Sequence, residues 1–213
     1  LVNAIYFYAN WAEQFDEDRT YDEPFHLLGG DSIDAPMMHN TEKFWYGEGE
    51  GYKAISLPYV GYGASMMILL PDEGRFTEFE ENLHQDTFNE IVDCLEYHEV
   101  ELSIPKFEMN SSFMLSDVLK DMGMASAFDG GFGNMILDPF DLLISEVIHK
   151  SFVSVDEAGT EAAAVTVVMM EISMAPESEN EPKVFNADRP FIFAIYAGDT
   201  KSILFLGRVL DPS

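Results

Sequence analysis

A serine, a histidine and an aspartate are the residue types of an activated nucleophile, and Ser173, His149 and Asp156 supply one of each in the last third of the chain. In that chemistry the serine oxygen attacks a carbonyl, the imidazole takes its proton and the carboxylate orients the ring. Ser173 sits in Glu171-Ile172-Ser173-Met174-Ala175, without the flanking glycines of a nucleophile elbow, so the chain is not expected to be a hydrolase. The histidines, His26, His39, His84, His98 and His149, show no metal-ligand spacing. No cofactor or metal is expected.

A different chemistry is suggested by the stretch VDEAGTEAAAVTVVMMEISMAPESENEPKVFNAD, which separates a strand ending near Val155 from one starting at Pro190. It is far longer than the usual connection of about 4 to 6 residues, and so is functional or disordered. Its first half does not have a disordered composition. As a strand it places Thr160, Ala162, Ala164, Thr166, Val168, Met170 and Ile172 on one small or apolar face, with Glu161, Ala163, Val165, Val167, Met169 and Glu171 on the other. A helix is the competing reading, favoured by Glu161 to Ala164, but the β-branched run Val165-Thr166-Val167-Val168 favours an extended chain. An exposed strand former is an aggregation hazard unless it has a use, and controlled insertion into a sheet is one such use.

The elements around it read as a mixed fold. Val2, Ala4, Tyr6 and Tyr8 alternate with Asn3, Ile5 and Phe7 in a nearly all-apolar run, the pattern of a central strand covered on both faces. Ala35 to Tyr46, Tyr52 to Pro58 and Ser65 to Leu70 read as strands split by glycine-rich turns. Arg75 to Tyr97 has helical spacing in two pieces broken near His84, with Cys94 expected as a packed core thiol. Val100 to Met109 is extended, and Ser112 is a candidate cap for a helix through Met122 that Gly123 would end. Leu142 to Val155 reads as a long strand, and Pro190 to Ala197 with Ser202 to Val209 as a hairpin about Gly198 to Lys201. Met37, Met38, Met66, Met67, Met169 and Met170 read as core or strand-face residues. The expectation is a single α+β domain over residues 1–213 with large, mostly antiparallel sheets.

Composition bounds the partners. Thirty-nine acidic against eleven basic residues give a formal charge of −28, which disfavours nucleic acid and polyanions. No apolar run of about eighteen residues suggests a membrane span. One cysteine excludes a disulfide within the segment. The chain opens inside a strand-forming run, so upstream sequence, with any targeting segment, is expected to be missing.

VDEAGTEAAAVT resembles the hinge signature of inhibitory serpins: a Glu, then Gly-Thr, then alanines and a Thr. NAIYFYANWAEQF, APMMHNTEKFWY, LPYVGYGASMMILLPDE and FNADRPFIFAIYAGDTKSILFLGRVLDP are similar to the same family in the same order, and the resemblance covers essentially the whole chain. It implies the serpin fold with its amino-terminal part absent and an exposed reactive-centre loop over residues 157–182. In that family a protease cuts the loop, whose freed part inserts as a central strand and traps the acylated enzyme; this is the family's known form of strand addition. The resemblance makes Glu157, Gly159, Thr160, Glu161, Ala162, Ala163 and Ala164 the hinge. Counting at the family's usual spacing from Glu157 places the attacked bond at Ser173–Met174. It also matches Lys106 with Glu157 as an ion pair near the insertion point, Trp11 as an aromatic there, and His149 as the partner of a strand asparagine, Asn3. The bland reading of His149 is an ordinary half-buried histidine near a strand end.

The resemblance further implies a monomeric, extracellular inhibitor of serine-type, or cysteine-type, endopeptidases. A small residue at Ser173 favours elastase-like or subtilisin-like targets, and a register slip onto Met174 would admit chymotrypsin-like ones. The competing readings are a non-inhibitory serpin-fold chaperone, carrier or storage protein, and a segment that is inert without its upstream half.

Overall fold

The computed structural model describes residues 1–130, 132, 143–160 and 181–213. In chain order the elements are β1 (Val2–Tyr6), β2 (Ala9–Asn10), β3 (Thr20–His26), β4 (Ser32–Gly49), β5 (Tyr52–Pro58), β6 (Ala64–Pro71), α1 (Phe76–Asn82), α2 (Gln85–Asp93), β7 (Glu96–Pro105) and β8 (Phe107–Met114). After them come α3 (Ser116–Leu119), α4 (Ala125–Asp129), β9 (Ile148–Val155), β10 (Gly159–Thr160), β11 (Lys183–Asn186), β12 (Phe191–Ala197) and β13 (Ile203–Val209). The backbone groups into two compact units, Leu1–Phe7 with Glu108–Val153, and Tyr8–Phe107 with Ser154–Ser213.

In the first unit β1 runs parallel to β9, from Val2 opposite Ile148 to Tyr6 opposite Phe152, and β8 also pairs with β9. Every residue of β1 is exposed. This corrects the expectation of a strand covered on both sides, because among the described residues no layer packs over its apolar faces. The expected strand from Leu142 begins only at Ile148. Just before it, the Val147 N–H donates to Ser116 Oγ and the Val147 carbonyl accepts from Leu115 N–H, so side-chain and loop bonds replace a ladder. Ser112 is not a helix cap. It lies inside β8, and the helix opens at Ser116. Gly123 does take a left-handed φ of 99°, but as a kink from which the chain enters α4.

The second unit is built on one large sheet in the order β11-β7-β4-β5-β6-β12-β13, with β3 on β4. All pairings are antiparallel except β11 on β7. The long β4 serves three neighbours in succession, β3 over Ser32–Met38, β7 over Met37–Tyr46 and β5 over Trp45–Gly49. Met37, Met38, Met66 and Met67 are fully buried, as their strand positions predict. Met169 and Met170 lie outside the described residues. Phe76 of α1 and the stripe Phe88, Ile91 and Leu95 at the end of α2 close one face over Ala54, Met67, Leu69, Ile192 and Ala194. Cys94 is exposed, correcting the expected core thiol. It is the C-cap of α2, about 100° round the helix from Leu95, which takes the buried position. The helical reading also ran too far, because Tyr97 belongs to β7. The final hairpin forms as expected, and a Cβ on Gly207 would stand 2.6 Å from the Phe193 ring.

Candidate functional site

The segment Asp156–Thr160 is a tight turn that sends the chain from β9 back into β10. Asp156 Oδ1 accepts from the N–H groups of Ala158 at 2.9 Å and Gly159 at 3.0 Å, and Asp156 N–H donates to the Gly159 carbonyl. Asp156 Oδ1 is thus occupied in holding the turn.

Glu157 points into the unit and is only 8% exposed. Its Oε2 accepts from Lys106 Nζ at 2.7 Å and its Oε1 from the Thr20 hydroxyl at 2.8 Å. Burial pushes this carboxyl up, but the bonds from Lys106 and Thr20 outweigh that penalty and hold it below the usual glutamate value. The Glu157 carbonyl accepts from Phe15 N–H, and the Lys106 N–H donates to the Pro36 carbonyl, so both ends of the ion pair are fixed by backbone.

Trp11 completes the frame. Its indole Nε1–H donates to the Asp156 carbonyl at 2.9 Å, its backbone N–H donates to the Ala158 carbonyl at 3.0 Å, and its ring stacks on Tyr59 at 4.7 Å between centroids. Thr160, fully buried, lies between two strands, opposite Val155 on β9 and Ala9 on β2. Its hydroxyl and the Tyr59 phenol oxygen are 2.7 Å apart, and burial raises the Tyr59 phenol far above its ordinary value although that bond lowers it. Gly159 has no room for a side chain: a Cβ would overlap the Ala9 carbonyl oxygen and stand 2.6 Å from Asn10 Cα.

The structure therefore brings Glu157, Gly159, Thr160, Lys106 and Trp11 together. Asn3 and His149 are direct register partners on β1 and β9. Glu161, Ala162, Ala163, Ala164, Ser173 and Met174 lie outside the described residues. Thr20, Tyr59, Ala9 and Asn10 were not singled out from the sequence. Among the described residues no group of three His, Cys, Asp or Glu side chains is placed to hold a metal ion, and no helix is long and apolar enough to cross a membrane.

Comparison with known proteins decides the family. The model of the family described as Serpin (serine protease inhibitor) matches residues 1–212. The chain belongs to the serpin family. An uncharacterised serpin-like protein of Thermococcus kodakarensis is 44% identical over 212 residues, which are all of this serpin chain and 49% of that protein. The leukocyte elastase inhibitors of Xenopus laevis and Homo sapiens are each 38% identical, again over the whole chain and over 57% and 58% of their own lengths. The chain thus spans about half the length of the curated relatives it matches. Among solved serpins, human thyroxine-binding globulin superposes with a TM-score of 0.85 at 30% identity, covering 100% of this chain and 56% of that one. A serpin from the trematode Schistosoma haematobium superposes with a TM-score of 0.82 at 26% identity, with the same coverage. The large sheets and few helices of this chain are those of part of the serpin fold.

Proposed function

We propose that the complete protein is a suicide inhibitor of serine endopeptidases, and that its loop, once cut, enters the sheet behind Thr160. The observation that carries this reading is the seat of Thr160, buried and paired on both edges, to Val155 and to Ala9. Both pairings of β10 are antiparallel, whereas β1 and β9 pair with each other in parallel. Extending β10 along β9 replaces one parallel ladder with two antiparallel ones, which supplies the driving force for trapping an acyl-enzyme.

The small side chains of Ala162 to Ala164, which follow the seated Thr160, support inhibition over carriage or storage, since they are the first that must enter the sheet. Ser173–Met174 is the bond proposed for attack, with elastase-like or subtilisin-like proteases as targets. An extracellular location and a monomeric state belong to the same proposal. The test mixes the full-length protein with pancreatic elastase and with subtilisin and looks for a covalent complex that survives boiling in detergent. Cleavage with no such complex, at any ratio and with either enzyme, would return the protein to the non-inhibitory members of its family.

A further inference from the structure

A cavity of about 660 Å³ opens on the second unit beside the end of α2, over residues of β4, β5, β6, β7 and β12. Three aromatic rings stand at its mouth although they are large and mostly apolar: Trp45 is 50% exposed, Tyr62 65% and Tyr97 59%. Trp45 and Tyr97 are register partners with ring centroids 5.6 Å apart, so they form one wall. Val92 and Leu95 add an apolar side, and the buried hydroxyls of Ser56 and Tyr196, 2.9 Å apart, form a polar floor. An apolar, concave site with a few converging polar groups and a volume in this range is the usual form of a small-molecule pocket.

The charges around it favour one sign. Glu13 and Lys43 line the cavity. Glu99 faces Lys43 across the β4–β7 ladder, and Glu42 lies near enough to act on both Glu13 and Tyr97. Carboxylates outnumber the single ammonium, on a chain whose formal charge is −28. Burial raises the Glu13 carboxyl and the nearby Glu42 raises it further. Burial also raises the Tyr97 phenol, with Glu13, Tyr62 and Glu42 adding to it. A second negative charge is thus unwelcome here and a positive one is stabilised, while exposed ring faces attract cations in their own right.

We infer that this cavity is a binding site for a small planar aromatic ligand carrying an ammonium group, with Trp45, Tyr62 and Tyr97 packing its ring and Glu13 facing its charge. The site is separate from the hinge, and the inference does not depend on protease inhibition.

The test is calorimetric titration of the full-length protein with tryptamine, with 3-ethylindole as its neutral counterpart and indole-3-propionate as its anionic one. Tryptamine is expected to bind at least about tenfold more tightly than indole-3-propionate, since about 1.4 kcal/mol separates them per decade. Glu13→Gln is expected to erase that preference and leave 3-ethylindole binding unchanged. Trp45→Ala is expected to weaken all three ligands, with an unchanged melting temperature as the check on folding. Should Trp45→Ala melt lower, Tyr62→Ala, which also lines the cavity, replaces it with the same expectation. No binding of tryptamine at millimolar concentration, equal affinity for cation and anion, or a preference that survives Glu13→Gln would each overturn the assignment.

Discussion

The Thr160 hydroxyl and the Tyr59 phenol oxygen stand 2.7 Å apart in a buried position, and the Trp11 ring stacks on the Tyr59 ring at 4.7 Å between centroids. The pair ties the first residue of the proposed inserting strand to the end of β5. Replacing Thr160 with Arg places a guanidinium where neither space nor a counter-charge exists, and a buried unpaired charge costs several kcal/mol, on the order of 3–5. In the full-length protein, Thr160→Arg should be cleaved as readily as wild type yet form little detergent-stable complex. The readout is the ratio of complex to cleaved inhibitor on a gel, and an unchanged ratio would sink the proposed seat.

Tyr59→Phe removes one buried hydrogen bond and keeps the ring that stacks on Trp11. The expected loss of stability is about 1 kcal/mol, with the Thr160 hydroxyl left unsatisfied. Equilibrium unfolding in urea measures it, and a loss below about 0.3 kcal/mol would mean that the hydroxyl finds another partner.

Glu157 gives a pH prediction. Its folded carboxyl is held below the ordinary value, after burial and the opposing bonds from Lys106 and Thr20 are set against each other. Its contribution is therefore fully present above the unfolded glutamate value of about 4.3 and is lost as pH falls through the lowered folded value. The melting temperature of Glu157→Gln should lie below that of wild type by a constant gap from pH 8 down to about 5, and the gap should close below about pH 4. A gap that widens on acidification contradicts the assigned direction.

Gly159→Ala tests the close approach of β10 to β2. The added methyl would overlap the Ala9 carbonyl oxygen, which belongs to backbone and cannot swing aside. Separation of β10 from β2 is expected, seen as faster amide exchange at Thr160 with little change in the distant hairpin of β12 and β13. Unchanged protection at Thr160 would show that the two strands are not held together as described.

Phe88→Ala probes the core beneath α2. The ring is 1% exposed and meets Tyr196 edge-on at 5.6 Å between centroids. A loss of about 3–5 kcal/mol is expected from the cavity left behind. Thermal or denaturant unfolding gives the value, and a change under 1 kcal/mol would place α2 outside the cooperative unit.

Much of the second unit could be read directly from residue order. Tyr52 to Pro58 is bounded by glycines on one side and a turn on the other, and the strand β5 has those limits. Glu157, Gly159, Thr160, Lys106 and Trp11 were found because the hinge motif is compact and its partners recur in a known pattern. Thr20 was invisible for the opposite reason: it sits inside the acidic stretch Asp16 to Glu23, and only the return of the chain from Val155 carries Glu157 to within 2.8 Å of it. Cys94 failed at a helix end, where one residue of rotation decides between core and solvent. The apolar run of β1 fitted a covered strand, but alternation reports what a strand can bury rather than what lies over it among the described residues.

The two-residue strand β10 also bears on kinetics. In a zip fastener the slow act is engaging the first tooth, and here Thr160 is already engaged with Ala9 on one side and Val155 on the other. If the loop is cut and inserts as proposed, what would remain is propagation along the edge of β9, so the proposed race against the protease's own hydrolysis would start from a strand already seated at its first residue.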